Sequence, residues 1–287
     1  MSTATLIQST ELFEELSTPS LRVLDATAFL RRKVDGGPYE VESGRSAFDE
    51  RHIPGALFAD VPGALSDPDS PYRFTLPSAE RFASGVGALG VGADTSVVVY
   101  AQESPMWATR LWWLLRYFGF DDVRVLDGGL TAWIGAGLPI TSDVSVVAPQ
   151  EFRAIPRPEL LADKGDVVRV VNGGVVCLIN ALTPRAFRGE GPGAYSRPGR
   201  IPGSLSYPAG ELLDATTGRF LKPDELRRIL ETPLTAKDGP VIAYCGGGIS
   251  ATVDVFALSL VGRDDVKLYD GSLTEWSADS TLPLVVD

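Results

Sequence analysis

The 287-residue chain is poor in the side chains that most often carry chemistry, with two cysteines, one histidine and two methionines. Two cysteines make no disulfide framework, and in a reducing compartment both are expected as thiols. One histidine and two distant cysteines make no soft-metal centre, so neither metal nor cofactor is expected. Positive charge is scarce as well: 26 Lys and Arg stand against 37 Asp and Glu, a net charge of −11. Nucleic acid and anionic membrane are thereby excluded as expected partners, because both require net positive patches. No apolar run approaches membrane-spanning length, and MSTATLIQSTELFEELSTP lacks a basic stretch followed by an apolar one. The expectation is a cytoplasmic protein. A small anion stays open as a ligand wherever positive charge is locally concentrated.

What the chain has is repetition. HIPGALFADV at His52 returns as RIPGSLSYPA at Arg200, VVVYA ending at Ala101 as VIAYC ending at Cys245, and VRVLDGGLTAW ending at Trp133 as VKLYDGSLTEW ending at Trp276. The spacings from His52 to Arg200, Ala101 to Cys245 and Trp133 to Trp276 are 148, 144 and 143 residues. Three landmarks in one order at nearly one spacing mean a duplicated globular unit, since the period is far too long for a solenoid. In each unit β-branched runs (LRVLDA, SVVVYA; VVCLINA, PVIAYC) alternate with helix-period segments (PSAERFASGVGALG, WATRLWWLLRYFG; KPDELRRILE, SATVDVFALSLVG). That alternation predicts an α/β fold: two tandem domains, each a mostly parallel sheet with helices on both faces. The expected boundaries are residues 1–140 and 159–287, with a proline-rich linker at 141–158.

Gly85, Gly87 and Gly90 match a dinucleotide-binding spacing, but they end a predicted helix instead of opening one, so a helix-terminating turn is the reading. Cys177 lies in the apolar run VVCLI and reads as a small core residue. Cys245 differs. It ends a predicted parallel strand and is followed by Gly246, Gly247, Gly248, Ile249 and Ser250 before a helix begins. Ligands of doubly wound sheets bind at that end of the strands. Glycines let backbone N–H groups converge into an anion cradle at the positive end of a helix dipole, which favours the nucleophilic thiolate. The first unit has Ala101 and QESPMWATR at the same place, with neither thiol nor glycine cradle, so one unit reads as catalytic and its twin as inactive.

The segments FDERHIPGA, LGVGADTSVVVY, RLWWLLRYFG, VLDGGLTAW, FRGE, IPGS, YCGGGISA and YDGSLTEW resemble the tandem-domain rhodanese family, which includes thiosulfate and 3-mercaptopyruvate sulfurtransferases. The resemblance implies an inactive first domain and a second domain whose Cys245 carries sulfur as a persulfide. It implies ping-pong transfer from a small anionic donor to cyanide or a thiol. Thiosulfate enzymes of the family carry basic residues just after the cysteine, whereas mercaptopyruvate enzymes have a neutral loop. The neutral Cys-Gly-Gly-Gly-Ile-Ser loop is nearer the second, although Gly247 replaces a loop serine.

Arginine forks suit a donor carboxylate or sulfonate, and PRAFRGEGPGAYSRPGR supplies Arg185, Arg188, Arg197 and Arg200. The resemblance points to Arg188, with Arg185 and Arg197 as candidate substrate-binding residues. Asn180-Ala181-Leu182 replaces the family's Asp-Ala-Arg. His52 has two readings, donor binding at the domain interface or a turn-stabilising residue before Ile53-Pro54. Two other functions compete: cysteine-dependent phosphatase chemistry, for which Ser250 stands where an arginine is needed, and a non-catalytic sulfur-carrier or binding module.

Overall fold

The computed structural model describes residues 5–31, 39–174, 176–190, 195–236 and 239–287. The first unit contains β1 (Leu6–Ile7), α1 (Ser9–Glu15), β2 (Leu21–Asp25), β3 (Ala28–Arg31), β4 (Glu40–Ser43), α2 (Arg45–Glu50) and β5 (Leu57–Phe58). It continues with α3 (Ala79–Ala88), β6 (Ser96–Tyr100), α4 (Met106–Tyr117), β7 (Val123–Leu126) and α5 (Gly129–Gly135). The second runs through β8 (Leu161–Ala162), α6 (Lys164–Val171), β9 (Cys177–Asn180), α7 (Pro184–Phe187), β10 (Leu205–Ser206), α8 (Pro223–Ile229) and α9 (Glu231–Thr235). It closes with β11 (Val241–Tyr244), α10 (Ala251–Leu260), β12 (Val266–Tyr269) and α11 (Ser272–Ala278).

Each unit forms a five-stranded parallel sheet, in the orders β1-β7-β6-β2-β5 and β8-β12-β11-β9-β10. The four apolar runs of the sequence become the interior strands β2, β6, β9 and β11. Four of the other strands are only two residues long and the β3–β4 hairpin is antiparallel, so none shows a readable period. Gly90 ends the α3 segment with φ 71°, a left-handed turn.

Strand alternation sorts side chains onto two faces. In β6, Val97 and Val99 join one core while Val98 and Tyr100 join another. In β11, Val241 and Ala243 lie on one face with Cys245 just beyond, and Ile242 and Tyr244 on the other. The larger core spans both units, because α4 and α10 pack on each other between the sheets. Thr109 and Thr252 meet there at 2.8 Å between hydroxyls, and Trp112 stands edge-on to Phe256 at 4.8 Å. α10 is apolar around most of its circumference, as a helix covered on all sides must be. The expected linker carries no helix or strand before a 3-10 turn at Pro158–Leu160, and it is strapped to the first unit through Gln150 N–H to Gly87 O (2.9 Å) and Ile155 N–H to Phe118 O (2.9 Å). No described helix is long and apolar enough to cross a membrane.

The Ile-Pro-Gly repeats are turns tied to the sheets. Ile53 N–H donates to the Tyr100 hydroxyl (3.3 Å) and Ile201 N–H to the Tyr244 hydroxyl (3.1 Å). Both repeat-ending tryptophans also close their units in one way, Trp133 donating to Pro139 O and Trp276 to Pro283 O, each at 2.8 Å.

Candidate active site

Cys245 directly follows β11 at the carboxyl edge of the second sheet, and α10 begins six residues later. It is 2% exposed. Ser272 pins the loop from below: its Oγ accepts from the N–H of Cys245 (3.1 Å) and of Gly248 (3.2 Å) and donates to Tyr269 O (2.8 Å). Ser272 adopts φ 49° to do so, a left-handed conformation uncommon outside glycine. The twin position in the first unit is Gly129, so the change from DGG to DGS between the repeats is the signal that could have singled Ser272 out. Thr274 holds the opposite side, its N–H (2.8 Å) and Oγ1 (2.7 Å) both donating to Gly246 O.

With those bonds made, the N–H groups of Gly246, Gly247, Ile249 and Ser250 have no acceptor among the described residues. Together with the α10 dipole they form an anion cradle. The three glycines are not equivalent. A Cβ on Gly246 would overlap the Tyr195 hydroxyl, and Gly248 sits at φ 75° with its Cβ position 2.7 Å from Asp270 O. Gly247 is half-exposed and has nothing nearer than Phe74 at 3.6 Å.

The first unit reaches into this site, which the sequence did not disclose. Arg110 on α4 is fully buried; its guanidinium pairs with Asp270 (2.7 Å) and donates to Gly248 O (3.2 Å) and Phe74 O (2.6 Å). Leu76 N–H donates to the other Asp270 oxygen at 2.7 Å. The arrangement is reciprocal: Phe220 N–H of the second unit donates to Asp127 of the first at 2.9 Å. Each unit thus lays a segment over its twin's strand ends, and the segment 73–76 borders the cysteine loop.

The predicted substrate-binding residues separate into two groups. Arg185 is exposed on α7, its side chain making no hydrogen bond or ion pair to another described residue and its charge bearing on Glu190. Arg188 follows it, also exposed and paired with Glu190 at 2.8 Å. Both belong to the segment leaving β9, the strand beside β11, and this segment leads to Tyr195 over Gly246; residues 191–194 lie outside the described residues. Arg197 is a different case. It donates to Ser277 O (3.0 Å), Leu282 O (2.9 Å), Trp276 O (3.4 Å) and Asp279 O (2.6 Å). Four of its five N–H groups are engaged, so it anchors the end of α11 and has no fork left for a donor. Arg200 pairs with Asp287 (2.8 Å) and donates to Phe187 O (3.3 Å).

His52, the fourth candidate, is also engaged by backbone carbonyls. It is 1% exposed, stacked on Phe48, with Nδ1 2.7 Å from Phe48 O and Nε2 3.1 Å from Asp143 O. These partners belong to its own turn and to the start of the linker, which leaves the turn-stabilising reading. Asn180 replaces a family aspartate and caps its own turn, Leu182 N–H donating to Oδ1 at 2.8 Å. Cys177 is half-buried and its thiol is pushed up by burial, as suits a core residue. Among the described residues no cluster of three His, Cys, Asp or Glu side chains could hold a metal ion.

A cysteine in a backbone cradle, on one of two twin parallel-sheet units, matches a known architecture: a model of the rhodanese-like domain fits residues 10–136 and 186–279. The chain belongs to the rhodanese family. Its relatives include a probable 3-mercaptopyruvate sulfurtransferase of Pseudomonas aeruginosa, 35% identical with 99% of each chain covered. The 3-mercaptopyruvate sulfurtransferase of Homo sapiens is 37% identical over 89% of this chain and 84% of the human one. Among solved structures, SseA of Escherichia coli, a 3-mercaptopyruvate sulfotransferase with the rhodanese fold, superposes with a TM-score of 0.81 at 32% identity, covering 94% of this chain and 98% of its own. The rhodanese tandem therefore accounts for nearly the whole chain.

Proposed function

We propose that the protein is a 3-mercaptopyruvate sulfurtransferase in which Cys245 carries the sulfur atom as a persulfide. The observation that carries this reading is the set of loop N–H groups without acceptors among the described residues, around a thiol just before a helix N-terminus. The Cys245 thiolate attacks the donor sulfur, the sulfur–carbon bond breaks, and its electron pair leaves on carbon as an enolate that takes a proton to become pyruvate. The cradle N–H groups stabilise negative charge on the sulfurs as it develops. A nucleophilic acceptor, cyanide or a thiol, then takes the outer sulfur and restores the Cys245 thiolate.

Donor choice follows from charge. Thiosulfate is a dianion, and the loop beside Cys245 has no lysine or arginine, so the monoanionic carboxylate of mercaptopyruvate is preferred. Arg185 and Arg188 are the side chains we assign to that carboxylate. In this reading residues 1–140 form an inactive domain that shapes the cleft, 141–158 the linker and 159–287 the catalytic domain. The test is intact-mass analysis of reduced protein after incubation with 3-mercaptopyruvate and, separately, thiosulfate, with peptide mapping. One added sulfur on Cys245, formed faster from mercaptopyruvate and absent in Cys245→Ser, is the expected result. Folded, reduced protein that gains no sulfur from either donor would point to a binding module instead.

A further inference from the structure

Among the described residues only two that are not glycine have positive φ, Ser272 at 49° and Phe74 at 66°. The left-handed region is costly for a side chain as bulky as phenylalanine, so its occupation calls for a reason. Both residues touch the cysteine loop. Ser272 Oγ accepts from the N–H of Cys245 and of Gly248, and a Cβ on Gly247 would lie 3.6 Å from the ring of Phe74.

The internal duplication shows that the fold needs a side chain at neither place. Leu76 N–H donates to Asp270 and Phe220 N–H to Asp127, while Asp67 N–H donates to Thr75 O and Asp214 N–H to Arg219 O. These matched bonds set the two covering segments in one register, 144 residues apart, which pairs Phe74 with Gly218. Gly218 also has φ 66°, and Gly129, the counterpart of Ser272, has φ 56°. The left-handed positions facing the Ala101 loop are therefore glycines, and those facing the Cys245 loop carry side chains. A Cβ at Gly218 would meet nothing within 4 Å, and a cavity of about 210 Å³, lined by Ala101, Gln102, Gly129, Thr217 and Gly218 among others, stays open over the Ala101 loop.

Backbone bonding does not require the phenylalanine. Arg110 reaches Phe74 through the carbonyl oxygen at 2.6 Å, a bond that glycine would make without strain. What the strained backbone secures is the ring. It stands edge-on to Trp107 at 5.3 Å, and both Phe74 and Gly247 are only partly buried, so ring and glycine meet at the rim of the cradle.

We propose that the Phe74 ring is the donor-selecting wall of the active site, supplied by the first unit to the cysteine loop of the second. The inference rests on Cys245 being the sulfur-accepting nucleophile. An apolar wall beside the cradle cannot solvate a charged group. It suits a donor whose sulfur sits on a methylene carbon, as in 3-mercaptopyruvate, where the fixed charge lies at the far carboxylate and the leaving electron pair spreads over an enolate. It disfavours thiosulfate. There the Cys245 thiolate forms the new sulfur–sulfur bond while the electron pair of the old one leaves on sulfite, a dianion released at the reacting end.

The test compares wild type, Phe74→Gly, Phe74→Ala and Phe74→Leu for kcat/KM with 3-mercaptopyruvate and with thiosulfate, cyanide being the acceptor for both, alongside thermal melts and the mass of Cys245 after loading. The ratio of the mercaptopyruvate to the thiosulfate value should fall by about tenfold in Phe74→Gly and Phe74→Ala and stay near that of the wild type in Phe74→Leu, which keeps an apolar wall. Phe74→Gly should melt no lower than Phe74→Ala, because glycine adopts the left-handed backbone freely. An unchanged ratio in the glycine and alanine variants overturns the proposal even if Tm or both rates drop, since a ring that only packs on Trp107 affects both donors alike. Wild-type protein that gains sulfur on Cys245 from neither donor removes the sulfurtransferase reading and the proposal with it, and the missing mass tells that outcome from the first.

Discussion

Arg110→Met removes the contact by which the first unit supports the cysteine loop of the second. In the native protein the Arg110 guanidinium pairs with Asp270 at 2.7 Å and donates to two carbonyls, Gly248 O and Phe74 O. Arg110 and Asp270 side chains are 1% and 9% exposed, so neither solvent nor another described cation replaces the lost partner. Methionine keeps much of the volume but leaves Asp270 with one buried oxygen uncompensated, a loss of about 3–5 kcal/mol when one member of a buried pair is deleted. For a chain of this size that corresponds to a fall in Tm on the order of 10 °C. Gly248 O also loses its restraint, so the cradle loosens and kcat/KM for sulfur transfer should fall on the order of tenfold. Differential scanning calorimetry and steady-state transfer assays measure both effects. A double-mutant cycle with Asp270→Asn assigns them: the double variant should be less destabilised than the sum of the singles, because neither charge is then stranded. Unchanged Tm and unchanged transfer in Arg110→Met would refute the account of how the first unit supports the loop.

The loop glycines should rank by their surroundings. Gly248→Ala, with positive φ and a backbone oxygen in the way, should lose at least about 1 kcal/mol and most activity, while Gly247→Ser should fold with wild-type Tm; equal Tm for both variants would contradict this ranking. Arg185→Ala and Arg188→Ala should raise the donor KM with little change in Tm, whereas Arg197→Ala should lower Tm by freeing the end of α11; a donor KM that moves only in Arg197→Ala would reverse the assignment. Asp254 also predicts a pH effect on stability. Its folded-state carboxyl is held protonated above the pH at which the unfolded one ionises, so from about pH 4 upward the native state binds the extra proton and loses up to about 1.4 kcal/mol of stability per pH unit until the folded group ionises. Asp254→Leu should therefore gain stability over the wild type as pH rises from about 5 to 7 in thermal melts; a gap that stays constant with pH removes the buried proton.

Much of the architecture is legible in consecutive residues, for local reasons. Strands β2, β6, β9 and β11 are long enough and apolar enough to show their period, and the glycine run after Cys245 marks a tight strand-to-helix junction whatever surrounds it. The two-residue strands and the β3–β4 hairpin were not legible, because their pairing depends on neighbours distant in sequence. Within the site, residue type was a poor guide to availability. Arg197 and His52 have suitable chemistry, yet backbone carbonyls from other elements engage them, and only packing reveals which donors are already used. Arg185 and Arg188 read the same way in sequence but lie exposed.

The sequence by itself determined that the protein is a duplicated α/β chain with a thiol cradle in one copy, since repeats, strand alternation and glycine placement are written in consecutive residues. Tertiary structure decided that the first copy supplies Arg110, that Ser272 pins the loop in a left-handed conformation, and that Asp254 is buried with no hydrogen-bond partner among the described residues. Those relations arise where α4 packs on α10 and where each unit lays a segment over the other. Burial and partnership there are properties of two surfaces meeting, and neither is encoded in one stretch of chain.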